Sequence, residues 1–362
     1  MANKIPLILN QTTARIEELA AADTLPGSAI DGFLGKNMLI NGNMGIFQRG
    51  TLANRPDGES YTVDRWSFAS LGTGTSNWGV GTFLFSDGTP LLPVPSPPRY
   101  WIGLNVVANT TSAWFRQKIE NVSVYANGKA TLSFWMRSSV AGKKVGVRII
   151  QDFGSGGGAS SAVFVEGPVF TLSTSFQKFT ATFDVPSLVG KTVGATPTND
   201  CLQVLFDFAA ASGYGGQLVG QTGLFEVTLI QFERGEVATD FERRPEAMEL
   251  ALCQRYCQLL DYGKGNGFTG VTVIGSTQVL GFVNLMANMR TVPTATRRGD
   301  LPTFTGPGSD VGGALTSLTL IPIGTGRLAF VGVVGTASTI YQAGYIGSTS
   351  VNGFQILLDA EI

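Results

Sequence analysis

The stretch ATLSFWMRS, residues 130–138, sets Leu132, Phe134 and Met136 on one side of an extended chain and more polar side chains on the other. The same period of two recurs at residues 144–150, 178–185, 201–208 and 223–232. Turn signals rich in glycine separate these stretches. Short antiparallel strands joined by loops of uneven length predict a β-sandwich, of jelly-roll type, over residues 37–242.

The composition narrows the class of protein. The chain has 362 residues, with 25 Lys and Arg against 26 Asp and Glu, and only 14% of the residues are charged. It lacks the basic blocks that bind phosphates, so no nucleic-acid partner is expected. It has no histidine, which excludes a Ser-His-Asp triad and any zinc site that needs imidazole. No apolar run approaches the length of a membrane span, so no membrane insertion is expected.

The three cysteines, Cys201, Cys253 and Cys257, have no disulfide-framework spacing. They are expected to be reduced and buried, as in a chain made in the cytoplasm. No cofactor and no metal site is expected. Acids in glycine-rich loops, such as Asp87 and Asp310, could hold a structural calcium, but EF-hand spacing is absent.

Two segments interrupt the alternation. Residues 1–36 are expected to carry a short helix that begins at Thr12 or Thr13. They would dock on copies of this chain or on another protein, because one helix and one apolar strand form no core.

A linking helix is predicted over residues 243–263, opened by Pro245. An apolar stripe recurs along it at helical spacing, and it predicts a seam against partner subunits or the underside of the jelly roll. The stripe consists of Met248, Leu252, Tyr256 and Leu259. Alternation then returns, and residues 264–362 are predicted to form a second β-domain, sandwich-like.

Two passages carry a family resemblance. LINGNMGIFQRGT (39–51) followed by YTVDRWSF (61–68) resembles the opening of the carbohydrate-binding-module-like jelly roll of many tailed-bacteriophage fibre and tail proteins. QFERGEVATDFERRPEAMELALCQRYCQ (231–258) resembles the passage that closes this jelly roll and enters a helix. Asp240 replaces the usual proline before Phe241, and Cys257 stands where an aromatic residue is common.

The resemblance implies a tail fibre or receptor-binding protein of the virion, a homotrimer that attaches the phage to its host. Residues 1–36 would bind a phage tail or baseplate protein, and residues 264–362 would form the receptor-binding tip. The expected partner is a host-surface polysaccharide or lipopolysaccharide, and the expected activity is adhesion without catalysis. The alternatives are a purely structural tail or baseplate component and a polysaccharide-degrading tail enzyme.

Sugar recognition needs an aromatic platform beside hydrogen-bonding groups, because a pyranose ring has an apolar face and hydroxyl edges. Six rings in loop-like sequence are the candidates, and the alternative for each is a ring packed under a loop or between subunits. They are Trp78, Tyr100, Trp101, Tyr214, Tyr341 and Tyr345.

Four other residues are expected to be structural. Trp66 and Trp135 lie in strand patterns and are predicted to be core residues. Gln48 and Arg49, in the opening passage, are predicted to tie strand edges together. No catalytic residue is predicted, because no motif fixes two of the acids across a cleft.

Overall fold

The computed structural model describes residues 7–10, 15–18, 35–55, 58–83, 92–108, 110–195, 199–262, 267–305, 312–335, 343–347 and 354–362. Strands β1 (Leu7–Asn10) and β2 (Arg15–Glu18) form an antiparallel pair in which Leu7 lies opposite Glu18. The helix predicted from Thr12 or Thr13 is therefore wrong. The preceding apolar run gives residues 15–18 a strand partner, which a helical pattern cannot take into account.

The middle of the chain folds into two six-stranded antiparallel sheets. Their strands are β3 (Leu52–Arg55), β4 (Gly58–Tyr61), β5 (Ser67–Gly72), β6 (Ser76–Thr82), β7 (Tyr100–Val106), β8 (Thr110–Glu120), β9 (Gly128–Ser138), β10 (Lys144–Asp152), β11 (Val163–Thr171), β12 (Gln177–Val185), β13 (Cys201–Ala209) and β14 (Gly223–Arg234). Sheet one has the order β11-β10-β13-β8-β5-β4, and sheet two has the order β12-β9-β14-β7-β6-β3. The predicted β-sandwich is confirmed.

The core lies between the two sheets. Phe134 on β9 meets Phe206 on β13 edge to face, with ring centroids 4.9 Å apart. Trp66 stacks on Phe115 at 4.7 Å, and both rings are fully buried. The predicted inward face of residues 130–138 is confirmed, as is the core position of Trp66. Aromatic pairs of this kind add about 0.5–1.5 kcal/mol each to the area that they bury.

Close backbone packing requires a glycine at position 42, in the turn that opens the sandwich. A Cβ atom on Gly42 would lie 2.1 Å from the carbonyl oxygen of Ile230 on β14. The backbones approach this closely because the Ile230 N–H donates to the Gly42 carbonyl at 2.9 Å. Only glycine therefore fits at this position.

The linking helix is shorter than predicted. Helix α1 spans Glu246–Gln254, and β15 (Cys257–Tyr262) follows it directly. β15 pairs with the last strand of the chain, with Cys257 opposite Asp359. The helical spacing is overridden because a distant strand supplies hydrogen-bond partners to this backbone.

The remaining strands are β16 (Gly267–Gly275), β17 (Gln278–Asn284), β18 (Thr294–Gly299), β19 (Thr303–Thr305), β20 (Gly312–Ile323), β21 (Arg327–Val334), β22 (Ala343–Gly347) and β23 (Phe354–Asp359). Six of them close into a barrel in the order β16-β17-β21-β20-β19-β22, and β15-β23-β18 form a separate sheet. The expected β-rich region is present, but it is a barrel with a small sheet and not a second sandwich. Closure gives each barrel strand two neighbours and leaves no open edge.

Candidate functional site

Gln48 joins the sandwich to the C-terminal sheet. Its side-chain amide donates to Asp64 Oδ2 at 2.5 Å and to the Cys257 carbonyl at 2.7 Å. Its Oε1 accepts the Leu259 N–H at 3.2 Å. The predicted structural role is confirmed, and the two edges that Gln48 ties lie far apart in the sequence.

Two arginines extend this junction. Arg49 lies 2.9 Å from an oxygen of Asp359 and 3.3 Å from Glu361. Arg65 is buried, pairs with Glu361, and places its guanidinium 3.4 Å from the ring centroid of Tyr256. The opening passage is therefore a structural joint between the sandwich and the C-terminal strands.

Asp64 is fully buried in this joint. Burial raises the pKa of its carboxyl to about 6, and the positive charge of Arg49 and the Gln48 hydrogen bonds oppose the rise. The Arg49 guanidinium lies 3.7 Å from Asp64 Oδ1.

The closing passage folds across the outer face of sheet two. Glu233 accepts the Thr239 N–H at 2.9 Å and the Thr239 hydroxyl at 2.7 Å. Gln231 Oε1 accepts the Glu242 N–H at 2.7 Å. These bonds hold residues 235–242, here called the outer loop, against the sheet.

The end of the closing passage is tied to the opening one. Glu242 accepts the Asn37 N–H at 2.7 Å. Arg244 donates to the Leu39 carbonyl at 3.0 Å and lies 3.4 Å from Glu249. The contacts of both passages therefore stabilise the fold of the sandwich.

A hollow of about 210 Å³ lies between the outer loop and sheet two. Trp135 lines it from β9 and is half-buried, because Phe134 and Met136 beside it point into the core. Phe241 lines it from the outer loop, and exposed Lys178 lines it from β12. We call this the aromatic hollow.

A second cleft, of about 490 Å³, lies next to it. It is lined by Asn43, Gly45 and Ile46 of the opening passage, by Arg99 and Tyr100 at the start of β7, and by the N-terminal end of α1. We call it the arginine cleft. Arg243 lines both hollows, which together form the outer groove.

Two arginines in the outer groove are not neutralised by a carboxylate of the described residues. Arg99 and Arg243 are exposed, and neither has a hydrogen-bond or ion-pair partner among the residues that the structure describes. Arg99 contacts the ring of Tyr100 at 5.5 Å. The neighbouring Arg244 differs, because Glu242 at 3.5 Å and Glu249 at 3.4 Å neutralise it.

The outer groove offers the chemistry of a binding site. Pockets for small ligands measure about 300–1,000 Å³ and combine apolar walls with a few polar groups. Trp135 and Phe241 supply apolar surface, and the hydroxyl of Ser96 and the charges of Lys178 and Arg243 supply polar contacts.

The predicted platform rings fall in different places. Tyr100 lines the arginine cleft. Trp101 is half-buried on the outer face of sheet two, where it lies so close to Gly81 that a Cβ there would be 2.0 Å from the indole. Tyr341 lies outside the described residues, and Tyr345 lies on β22 with its side chain outside the described part.

Trp78 and Tyr214 are packed, so their assignment as exposed platforms is wrong. Trp78 is 3% exposed and points into the core from β6. Tyr214 is 6% exposed, covers Gly146, and donates its hydroxyl to Asp207 at 2.7 Å. Burial raises the pKa of both Tyr214 and Asp207.

The predicted seam is divided between two elements. Met248, 43% exposed, and half-buried Leu252 lie on α1. Tyr256 follows the helix and packs under Arg65 of the sandwich, and Leu259 lies on β15. A single helical stripe of four residues is therefore wrong. Contact of Met248 and Leu252 with a partner chain stays a prediction.

Three residues of the outer groove were missed at the sequence level. Trp135 was predicted to be core, although its alternation with Phe134 already placed it on the other face. For Phe241 and Arg243 the sequence predicts no binding role, and they stand there only within the closing passage that resembles the family. No local signal marks them, because the fold-back of the outer loop brings them to the sheet.

Other site types leave few traces in the described part of the chain. No group of three or more His, Cys, Asp or Glu side chains there could hold a metal ion. No helix there combines the length and the apolar character needed to cross a membrane. The three cysteine thiols are free and buried, as predicted.

No protein-family model matches the chain, and no curated protein matches it. Among solved structures, the enzymatically active domain of tailspike protein 4 of bacteriophage CBA120 is 13% identical over 55% of this chain and 22% of its own, with a TM-score of 0.32. The chain thus spans less than a quarter of that tailspike structure.

Two carbohydrate-binding modules are similar over about half of the chain. The family 11 module of Clostridium thermocellum, solved with a β-1,3-1,4-mixed-linked tetrasaccharide, is 12% identical over 51% of this chain and 99% of its own, with a TM-score of 0.28. A xylan-binding CBM22 domain of Paenibacillus barcinonensis is 9% identical over 51% and 95%, with a TM-score of 0.28. Because these identities and TM-scores are low, the assignment of a β-sandwich rests on the two sheets of this chain and not on the similarity.

Proposed function

We propose that this protein is a tail-fibre or receptor-binding protein of a tailed phage, and that it binds a host-surface glycan in the outer groove. One observation carries the binding site: Trp135 stands half-exposed on the outer face of sheet two, with Lys178, Ser96 and Arg243 around it. An aromatic face beside hydrogen-bonding groups matches the apolar face and the hydroxyl edges of a sugar ring.

The assignment to a phage tail is supported by the two passages that resemble tail-fibre jelly rolls. The proposed assembly is a homotrimer with residues 1–36 on the tail or baseplate and the groove directed to the host. Three weak sites on one axis would gain avidity through effective concentration. The proposed mechanism is adhesion without turnover, and release of reducing ends from the bound polysaccharide would contradict it.

Binding of the full chain to an array of bacterial surface polysaccharides tests the proposal. Trp135→Ala should weaken binding to the bound glycan about 30-fold, because a central aromatic anchor is worth about 2 kcal/mol. Trp114→Ala is the matched control, since Trp114 is also half-buried but lies on the outer face of sheet one. An equal loss in both variants, or no bound glycan at all, would reject the groove.

A second candidate, a structural tail or baseplate component, has its own observation. The barrel exposes large apolar side chains on the two strands that flank β21, namely Phe282 (47% exposed) on β17 and Ile321 and Ile323 on β20. Exposed apolar patches mark protein contacts. A chain that binds no polysaccharide on the array but binds purified tail proteins would favour this candidate.

A further inference from the structure

The outer groove holds cations that the fold does not use. Arg116, Arg137 and Arg148, on the outer faces of the same sandwich, each pair with a carboxylate. Arg99 and Arg243 have no such partner within the described ranges, and both line the arginine cleft. Their guanidinium donors are therefore available to a ligand.

The N-terminal end of α1 adds positive potential to this cleft. Pro245 occupies the N-cap and gives the helix no side-chain hydrogen bond. Pro245 and Glu246 both line the cleft, so the positive end of the helix faces it.

Two acids lie at the same end of the helix. Glu249 is occupied, because it accepts the Asn41 N–H and lies 3.4 Å from Arg244. Glu246 is exposed and has no partner in the described part of the chain. Its charge opposes one of the two free arginines. Glu242, Glu246 and Glu249 equal in number the three arginines of the cleft, so anion selection would rest on the two unpaired guanidinium groups and not on a net positive charge.

We propose that the arginine cleft binds an acidic group, carboxylate or phosphate, of the glycan held by the outer groove. The ligand class is therefore an anionic polysaccharide, and this inference rests on the function proposed above. The planar guanidinium fork matches the oxygens of both groups, and a charge-assisted hydrogen bond is stronger than one to a neutral hydroxyl. Trp135 would hold the sugar ring, while Arg99 and Arg243 would select the charge.

Titration calorimetry of the full chain tests the inference. The carboxylate probes are polygalacturonate, alginate and hyaluronate, and the control for each is its neutral, carboxyl-reduced form. The phosphate probe is a polyglycerol phosphate, and its control is neutral dextran. At least one acidic polymer should bind about tenfold more tightly than its neutral control. Because the charges are exposed, this advantage should shrink between about 50 mM and about 500 mM salt.

Three variants locate the effect. Arg99→Gln should remove most of the roughly tenfold advantage of the acidic polymer and leave the affinity for the neutral one unchanged. Arg243→Gln should weaken acidic binding more than neutral binding, because Arg243 also lines the aromatic hollow. Glu246→Gln should strengthen acidic binding, because it removes the opposing charge. Arg327→Gln, which changes an exposed arginine on β21, is the control and should have no effect.

The two proposals fail differently. If no acidic polymer binds better than its neutral control, or if both cleft variants bind it as the native chain does, the charge selection is wrong. Glycan binding that still depends on Trp135 would then leave the proposed function in place. If Trp135→Ala changes the binding of no polymer, the proposed groove itself is rejected.

Discussion

At the scale of the residue, neighbours in the sequence perform opposite tasks. Phe134 fills the core, and Trp135, one position later, lines the aromatic hollow. Arg244 is neutralised by two glutamates, and Arg243 beside it is free among the described residues. In each pair the backbone direction, set by the strand or the loop, decides which side chain meets the solvent.

Asp64 gives a residue-scale prediction about pH. Its carboxyl has a pKa of about 6 in the folded chain, against 3.8 as the ordinary value. Between these pH values the folded chain keeps a proton that the unfolded chain has lost. The contribution of Asp64 to the free energy of unfolding is therefore full below pH 4 and is lost as the pH rises through 6, by about 3 kcal/mol in total.

Urea unfolding of the native chain and of Asp64→Asn at pH 4 and pH 7 measures this contribution. The stability of the native chain relative to the variant should fall from the lower to the higher pH. Subtracting the two free energies of unfolding at each pH removes the contribution of the titrating acids that both chains share. A relative stability that rises with pH would mean that Arg49 dominates and that the pKa is lowered.

At the scale of the element, the outer loop is an irregular segment held by the strand that precedes it. Glu233 on β14 accepts two hydrogen bonds from Thr239. The loop carries Phe241 into the outer groove, and Arg243 follows directly after the loop. The shape of the groove therefore depends on Glu233, a residue that lines neither hollow.

Glu233→Ala tests this anchor. It should lower the free energy of unfolding by about 1–3 kcal/mol, because the Thr239 N–H loses its acceptor. It should also speed amide hydrogen exchange in residues 235–242 and weaken glycan binding. Glu236→Ala is the control, since Glu236 is exposed and its pair with Lys129 at 3.6 Å is screened by solvent. Similar exchange in the two variants would show that Glu233 is no anchor.

At the scale of the whole molecule, a cluster of buried charges joins the sandwich to the strands at the end of the chain. Arg65 pairs with Glu361, and Arg49 reaches both Asp359 and Glu361. These contacts fix the C-terminal sheet against the sandwich. They connect residues about 300 positions apart, since the Arg65–Glu361 contact spans 296 residues.

Arg65→Met should therefore lower the free energy of unfolding by about 3–5 kcal/mol, because the buried Glu361 carboxylate loses Arg65 and keeps only Arg49 as an ion-pair partner. In calorimetry we expect one unfolding transition for the native chain and a broadened or split transition for the variant, because the two regions uncouple. The double variant Arg65→Met with Glu361→Gln should recover part of the loss. Two single variants whose losses simply add would show that the two side chains do not interact.

The sequence by itself determined the β-sandwich, its inward face and the structural role of Gln48 and Arg49, because side-chain alternation is a local property of an extended chain. Only the tertiary structure decided that Cys257–Tyr262 is a strand, that Trp78 and Tyr214 are covered, and that Arg99 and Arg243 line one cleft next to the hollow that holds Trp135. These outcomes depend on pairing between distant segments and on a loop that folds back over a sheet. No short window of sequence contains the partners that stabilise them.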